Sequence, residues 1–376
     1  MAGERRPQEH LDFLDGVRAL LALYVVQRHA EVFFWKVTES HVTKGLSPWT
    51  VLRYAHFAVD IFIVISGFCL FLPVVRAAGE LRGGASRFFS RRALRILPPY
   101  YAAVVASIVG LWIRGQARQF TGQNFATVWH HALLVHDALS PFALNSALWS
   151  VAVECHVYLL FPLLVLSWKR TGPVATFAWA SLLAGGIYAL LLRHPSLRVI
   201  TPQYLVLFLI GMLGAAIFTS PRWEETKKLP WGVFAAVLIP GMMAVHHFAP
   251  PRLVDTYLGV EDVLVGLGAM SLLLAGSRPG IVARALSVRP LVFLGSFSYS
   301  IYLIHIPILE LLARFASSRL DLSGTSGVVK LLIMGVLVAI ATAGAYVFYL
   351  AFERPVVRML GAKRAKTAET PEAKAA

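Results

Sequence analysis

The chain has 376 residues, 57% of them hydrophobic and only 15% charged, with a mean hydropathy of +0.66. Soluble domains hold roughly 45–50% apolar and about 25% charged residues, so this composition excludes an ordinary water-soluble domain and calls for lipid as solvent. The formal charge of +15 would suit a nucleic-acid partner, but such a binder gathers its cations on one hydrated face, and here they separate long apolar runs.

The first fifteen residues are polar, and no small-residue cleavage site follows the first apolar run, which is therefore expected to stay as a helix. Apolar stretches then predict helices at about 17–34, 52–73, 99–113, 148–166, 173–192, 203–219, 230–247, 260–276, 291–313 and 327–352. The expected architecture is an all-α, polytopic membrane bundle of about ten transmembrane helices. It comprises an N-terminal segment 1–15, a membrane domain 16–355 and a tail 356–376. From Lys363 onward the tail has no apolar period, which predicts disorder. The loop at about 114–147, with Trp129, His130, His131 and His136, is long for a connection and is expected to be ordered or partly re-entrant. Cys69 and Cys155 both fall inside apolar runs, which suits packing residues rather than a disulfide framework or a metal site.

Basic residues crowd alternate connections: Arg76, Arg82, Arg87, Arg91, Arg92 and Arg95 in one, Lys169 and Arg170 in the next, then Arg222 to Lys228, then Arg278 to Arg289. With the terminal segments these carry roughly two-thirds of the Lys and Arg, and the positive-inside bias places them, and both termini, in the cytoplasm of a cell with this chain in its inner or plasma membrane.

Ionisable groups inside apolar spans cost roughly 2.5–3.5 kcal/mol on insertion scales, so each is a candidate for function. Arg18 and His29 are eleven residues apart, which on a helix is about 1100° of rotation and about 16 Å of rise, nearly one face. Depth counted at about 1.5 Å per residue puts His29, Asp60, Glu154 and His305 in one layer, roughly 18–21 Å above the cytoplasmic edge. Two imidazoles and two carboxylates there suit buried acid/base chemistry. Arg87, Arg91 and Arg95 follow an i, i+4, i+8 spacing with Arg92 beside them, and guanidinium forks suit phosphate oxygens as well as anionic headgroups.

These strings, taken together, resemble the membrane acyltransferase-3 family. LDGVRALLALYVVQRHA (14–30) is similar to the family's Arg-x10-His signature, on Arg18 and His29. HFAVDIFIVISGF (56–68) is similar to its Val-Asp-x-Phe-Phe-x-x-Ser-Gly-Phe element. SRRALRILPPYY (90–101), LWSVAVECHVYLLFP (148–162), FSYSIYLIHIP (297–307) and ERP (353–355) complete the family's order. Two departures stand out: Cys155 occupies the place of a second acid after Glu154, and no soluble esterase-like domain is expected after the last span.

The resemblance implies transfer of an acetyl or other short acyl group from acyl-CoA, acetyl-CoA above all, to a hydroxyl of a glycan, glycolipid or glycosylated metabolite, with no metal. In that reading Arg18, Arg87, Arg91, Arg92 and Arg95 meet the coenzyme phosphates. His29 is the general base or acyl carrier, and Asp60 or Glu154 orients it. His305, with Tyr299 and Tyr302, polarises the thioester carbonyl or holds the acceptor, and Trp149 also contacts substrate. Ser66 serves as a small residue at a helix contact rather than as a nucleophile. A proton-coupled transporter is the alternative, since intramembrane His, Asp and Glu also build proton relays. The charge bias predicts that cysteines at Arg82→Cys and Arg284→Cys stay unreactive towards a membrane-impermeant maleimide added outside intact cells. Labelling at either site would overturn the orientation.

Overall fold

A computed structural model describes residues 11–35, 48–115, 122–140, 144–193, 201–249, 251–317, 322 and 325–369. The described residues are helical or turn throughout, with no strand. Helix α1 (Asp12–Trp35) is followed by a 3-10 turn (Pro48–Tyr54), α2 (Phe57–Val75), α3 (Gly84–Ile113), and two short helices, α4 (Gly122–Ala132) and α5 (His136–Leu139). Then come α6 (Trp149–Arg193), α7 (Gln203–Phe218), α8 (Trp223–Thr226), α9 (Trp231–Phe248) and α10 (Pro251–Gly276). The chain closes with α11 (Ile281–Leu286), α12 (Arg289–Gly295), α13 (Ser298–Ser317), α14 (Gly327–Phe348), a π turn (Tyr349–Glu353) and α15 (Arg354–Glu369).

Seven of the described helices are long and apolar enough to cross a bilayer: Phe57–Val75, Gly84–Ile113, Trp149–Leu191, Trp231–Phe248, Gly259–Gly276, Ser298–Ala316 and Gly327–Ala362. The count differs from the ten expected for three reasons. Helix α1 carries Asp12, Asp15, Arg18, Arg28 and Glu31, α7 has only 16 residues, and α6 is one 45-residue run broken at Gly172 (φ 81°, ψ 174°). Gly172 tolerates the positive φ, and Pro173, lacking an N–H, starts the second half.

Three further elements depart from the expected pattern. The expected 99–113 helix begins at Gly84, so the arginine-rich stretch forms its first turns. The expected 291–313 helix is divided by a turn at Ser296 and Phe297 into α12 and α13. The tail continues as α15 to Glu369, consistent with its content of Ala, Lys, Arg and Glu, which are good helix formers.

Polarity is inverted relative to a soluble protein. Only 6% of the α9 span is buried, against 67% of the α2 span, and α9, α14 and the second half of α6 turn Val237, Leu332 and Leu182 outward. Lipid is the solvent that makes this favourable. Inside, α2 crosses α7 at two glycines: a Cβ on Gly67 would stand 2.1 Å from the Phe208 carbonyl oxygen, and one on Gly211 would stand 2.1 Å from that of Val64. The close crossing expected of Ser66 therefore belongs to its neighbour Gly67. One end of the bundle collects the basic connections. Lys169 bonds Glu80 at 2.7 Å, holding that exposed carboxyl below its usual range, Arg278 donates to the Lys227 and Leu229 carbonyls, and Gly16 packs against Leu286.

Overpacking a tight helix crossing costs typically about 1–3 kcal/mol and more where backbone must move. Gly67→Leu and Gly211→Leu should each lower the unfolding temperature in detergent by several degrees, whereas Gly185→Leu, which meets open space, should not. Equal melting of all three variants would contradict the crossing.

Candidate functional site

Helices α1 and α13 bring two imidazoles together: His305 Nε2 lies 3.1 Å from His29 Nδ1, with the ring centroids 5.0 Å apart. The neighbours assign the protons. His305 Nδ1 sits 2.8 Å from the Tyr302 carbonyl oxygen and 3.1 Å from that of Ile301. Carbonyls only accept, so this nitrogen carries hydrogen and Nε2 of the neutral ring is an acceptor. His29 Nδ1 must then donate, and it is also 3.0 Å from the Val25 carbonyl oxygen. His29 is left with a lone pair on Nε2. His305 is fully buried and His29 half-buried, so the ring with the free lone pair is the accessible one. Both nitrogens of His305 are engaged, which makes it the residue that orients His29.

The carboxylates expected to orient His29 do other things. Glu154 on α6 accepts from Ser66 Oγ at 2.5 Å and from the Tyr158 hydroxyl, which also reaches Ser66 Oγ at 3.3 Å. Arg92 has Tyr158, Glu154 and Cys69 as electrostatic neighbours. Arg18 binds Asp15 at 3.0 Å and donates to Cys69 Sγ at 3.3 Å, so a thiol of α2 contacts Arg18 of α1 and has Arg92 of α3 as an electrostatic neighbour. Arg87, Arg91 and Arg95 stand exposed on the same α3 turns, and Arg95 neighbours the buried Glu353. Glu353 in turn accepts from Ser300 Oγ at 2.5 Å and Ser300 N at 3.2 Å, clamping the π turn to α13.

Asp60 faces α7 and α10 rather than His29. It is completely buried against Asp262 of α10 and Tyr204 of α7. Asp262 accepts from Gln203 Nε2 at 2.9 Å, and Trp149 stacks on Tyr204 with centroids 5.9 Å apart. Tyr302 bonds Ser150 Oγ at 2.6 Å, and Tyr299 donates to the Ile96 carbonyl at 3.1 Å, so Tyr299 is a helix-to-helix tie. Asp262, Tyr204, Gln203 and Ser150 were not singled out from the sequence. Asp262 was detectable, being an acid only two residues into the expected 260–276 span. In the connection after α3, the His131 and His136 rings stack 4.0 Å apart in full burial, and burial beside His136 pushes His131 down to about 4. Among the described residues no group of three or more His, Cys, Asp and Glu could hold a metal ion.

The sequence profile of a family described as an acyltransferase domain matches residues 11–350. O-acetyltransferase OatA of Staphylococcus aureus is 24% identical over 327 residues, which cover 80% of this chain and 51% of that protein. A Bacillus subtilis protein carrying the name "Putative peptidoglycan O-acetyltransferase YrhL" is 25% identical over 79% of this chain and 48% of its own length. A protein of Acidianus two-tailed virus carrying the name "Putative acetyltransferase ORF330" is 24% identical over 80% of this chain and 82% of its own. The chain thus spans about half the length of the two bacterial relatives. No solved structure matches.

Proposed function

The chain belongs to the acyltransferase-3 family, and from that premise we propose that it is a multi-pass cell-membrane O-acetyltransferase that carries an acetyl group from acetyl-CoA to a hydroxyl of a carbohydrate. The observation that carries this reading is the His29–His305 pair, which leaves one accessible basic nitrogen, His29 Nε2, at the heart of a lipid-facing bundle. The names of the bacterial relatives, one of which specifies peptidoglycan, support a sugar-containing acceptor. Counting α1, α7 and the two halves of α6 as spans, the bundle crosses the membrane ten times with both termini in the cytoplasm.

In this mechanism the acceptor hydroxyl oxygen attacks the thioester carbonyl carbon, and His29 Nε2 takes the hydroxyl proton. The carbon–sulfur bond breaks, and the proton passes to the departing thiolate, so the cycle is proton-neutral. The imidazolium formed midway shares its Nδ1 hydrogen with His305 Nε2 and the Val25 carbonyl, two acceptors already in place before charge develops. Arg18 and Arg92 receive the coenzyme phosphates, for which their paired forks are suited. From Arg18 to His29 is about 16 Å along α1, a stretch for the thin pantetheine arm to follow. Arg87, Arg91 and Arg95, all exposed on α3, draw the polyanion in from the surface.

Purified protein given labelled acetyl-CoA and a membrane glycan extract should consume thioester and label the glycan. His29→Ala should lose about 10²–10⁴-fold in kcat, the usual worth of a general base, with the KM for donor little changed. Arg18→Ala should mainly raise the donor KM, since its contact persists from ground state to transition state. A folded, donor-binding His29→Ala protein with undiminished turnover would overturn the mechanism.

A further inference from the structure

Nine buried side-chain nitrogen and oxygen atoms among the described residues make no well-formed hydrogen bond. Five of them lie where the starts of α2 and α7 meet the middle of α10: both oxygens of Asp60, which face only the Tyr204 hydroxyl and the Asp262 carboxyl, together with Oε1 of Gln203, Oγ1 of Thr201 and Nε2 of His56. The neighbourhood is continuous. Gln203 holds Asp262 at 2.9 Å, and Asp262 and Tyr204 lie against Asp60. Tyr204 N reaches the Thr201 carbonyl at 3.2 Å, and His56 precedes Asp60 by one helical turn. The other groups facing it are Glu261 of α10, bonded to His246 of α9 at 2.8 Å, and His246 itself, whose ring is 5.4 Å from that of His56. One cation, Arg28, is also an electrostatic neighbour of His56 and is paired with Glu31 at 3.3 Å.

Buried polar atoms in folded proteins are almost always satisfied, so a concentration of unmet ones marks a place where something else binds. Its chemistry can be read from the atoms. Four of the five are oxygens; the Gln203 amide oxygen only accepts, and the Asp60 carboxyl lies against a second carboxyl, that of Asp262, so the site suits hydroxyls, which both donate and accept. A flat aromatic pair, Trp149 on Tyr204, stands beside them. Acidic and amide acceptors next to an aromatic face match a ring that carries several hydroxyls on its edge and C–H groups on its face.

The place is also right. Asp60 lies nine residues along α2 from Cys69, about 13 Å, so it is set away from the Arg18 end. Tyr204 is an electrostatic neighbour of Tyr302, whose carbonyl holds His305. Donor and acceptor would then approach the histidines from opposite ends of the bundle. We propose that Asp60, Asp262 and Gln203, with Trp149 and Tyr204 beside them, form the acceptor subsite and bind the hydroxyls of a sugar ring. Identifying that sugar as the acceptor rests on the O-acetyltransferase reading; its binding at this site does not.

Saturation-transfer NMR on the full chain in nanodiscs tests the binding without chemistry. The probes are the methyl glycosides of glucose, galactose, N-acetylglucosamine and N-acetylmuramic acid, together with the mono-deoxy analogues of whichever binds. At least one glycoside should receive saturation, and removal of one of its hydroxyls should weaken it by at least about 10-fold, as for a site built around that donor. Asp262→Asn, which keeps the shape, and Gln203→Leu should each weaken it at least about 10-fold and raise the acceptor KM more than they lower kcat. No saturation with any of the four glycosides would overturn the proposal, as would unchanged binding in both folded variants. Stabilisation of the wild type by sodium or calcium that is lost in Asp262→Asn, without sugar binding, would overturn it in favour of a cation site. If glycosides bind as expected while acetyl-CoA is never consumed, the subsite stands and the transferase reading falls.

Discussion

The hydrogen bond between His29 and His305 is the contact on which the rest depends. It joins the first long helix to the thirteenth, 276 residues apart in sequence, in a layer where water is scarce and each polar atom needs a protein partner. Three backbone carbonyls and one shared hydrogen decide both tautomers, so a single lone pair is left over, and it is on His29. In the proposed mechanism a base defined this way needs no adjacent carboxylate. The carboxylates of the site are accordingly free for other work, and the structure spends Glu154 on Ser66 and Tyr158 and Asp60 on the α7–α10 neighbourhood.

The surrounding helices serve that contact by closing tightly. The Gly67–Gly211 crossing brings α2 within backbone distance of α7, which carries Tyr204 and Gln203 to Asp60 and Asp262. The Glu353–Ser300 clamp holds the start of α13, one and a half turns before His305. At the other end, Arg18 donates to Cys69, which is also an electrostatic neighbour of Arg92. The result is a bundle with a cationic end, a carboxylate-rich end and a neutral imidazole pair between, an arrangement suited to a polyanionic donor and a polyhydroxyl acceptor.

Much of this was legible in the residues. The spacing of Arg18 and His29 places them near one face of α1, and depth counting along two helices puts His29 and His305 at one level; their contact follows once those helices are adjacent. The spans expected at 148–166 and 173–192 leave a gap between them, and the break in α6 falls in it at Gly172. What sequence periodicity does not supply is rotation about a helix that is apolar on all sides. In α2 every face is hydrophobic, so nothing in the pattern says that Asp60 turns towards α10 rather than α1. The same applies to the arginines of α3: their regular spacing suggests a single clamp, yet Arg92 alone among the four turns inward while Arg87, Arg91 and Arg95 stay exposed. The turn at Ser296 and Phe297 escaped because the residues on both sides are apolar and no proline intervenes.

The central claim, that an acyl-coenzyme A thioester is presented to His29 from the arginine end of the bundle, is tested most directly by cryo-electron microscopy of the protein in nanodiscs with a non-transferable thioether analogue of acetyl-CoA. The account predicts phosphate density at Arg18 and Arg92, with the arm running along α1 and its acetyl-bearing tip within hydrogen-bonding reach of His29 Nε2. Phosphates seated at the Asp60 end, or an arm that never enters the bundle, would contradict it.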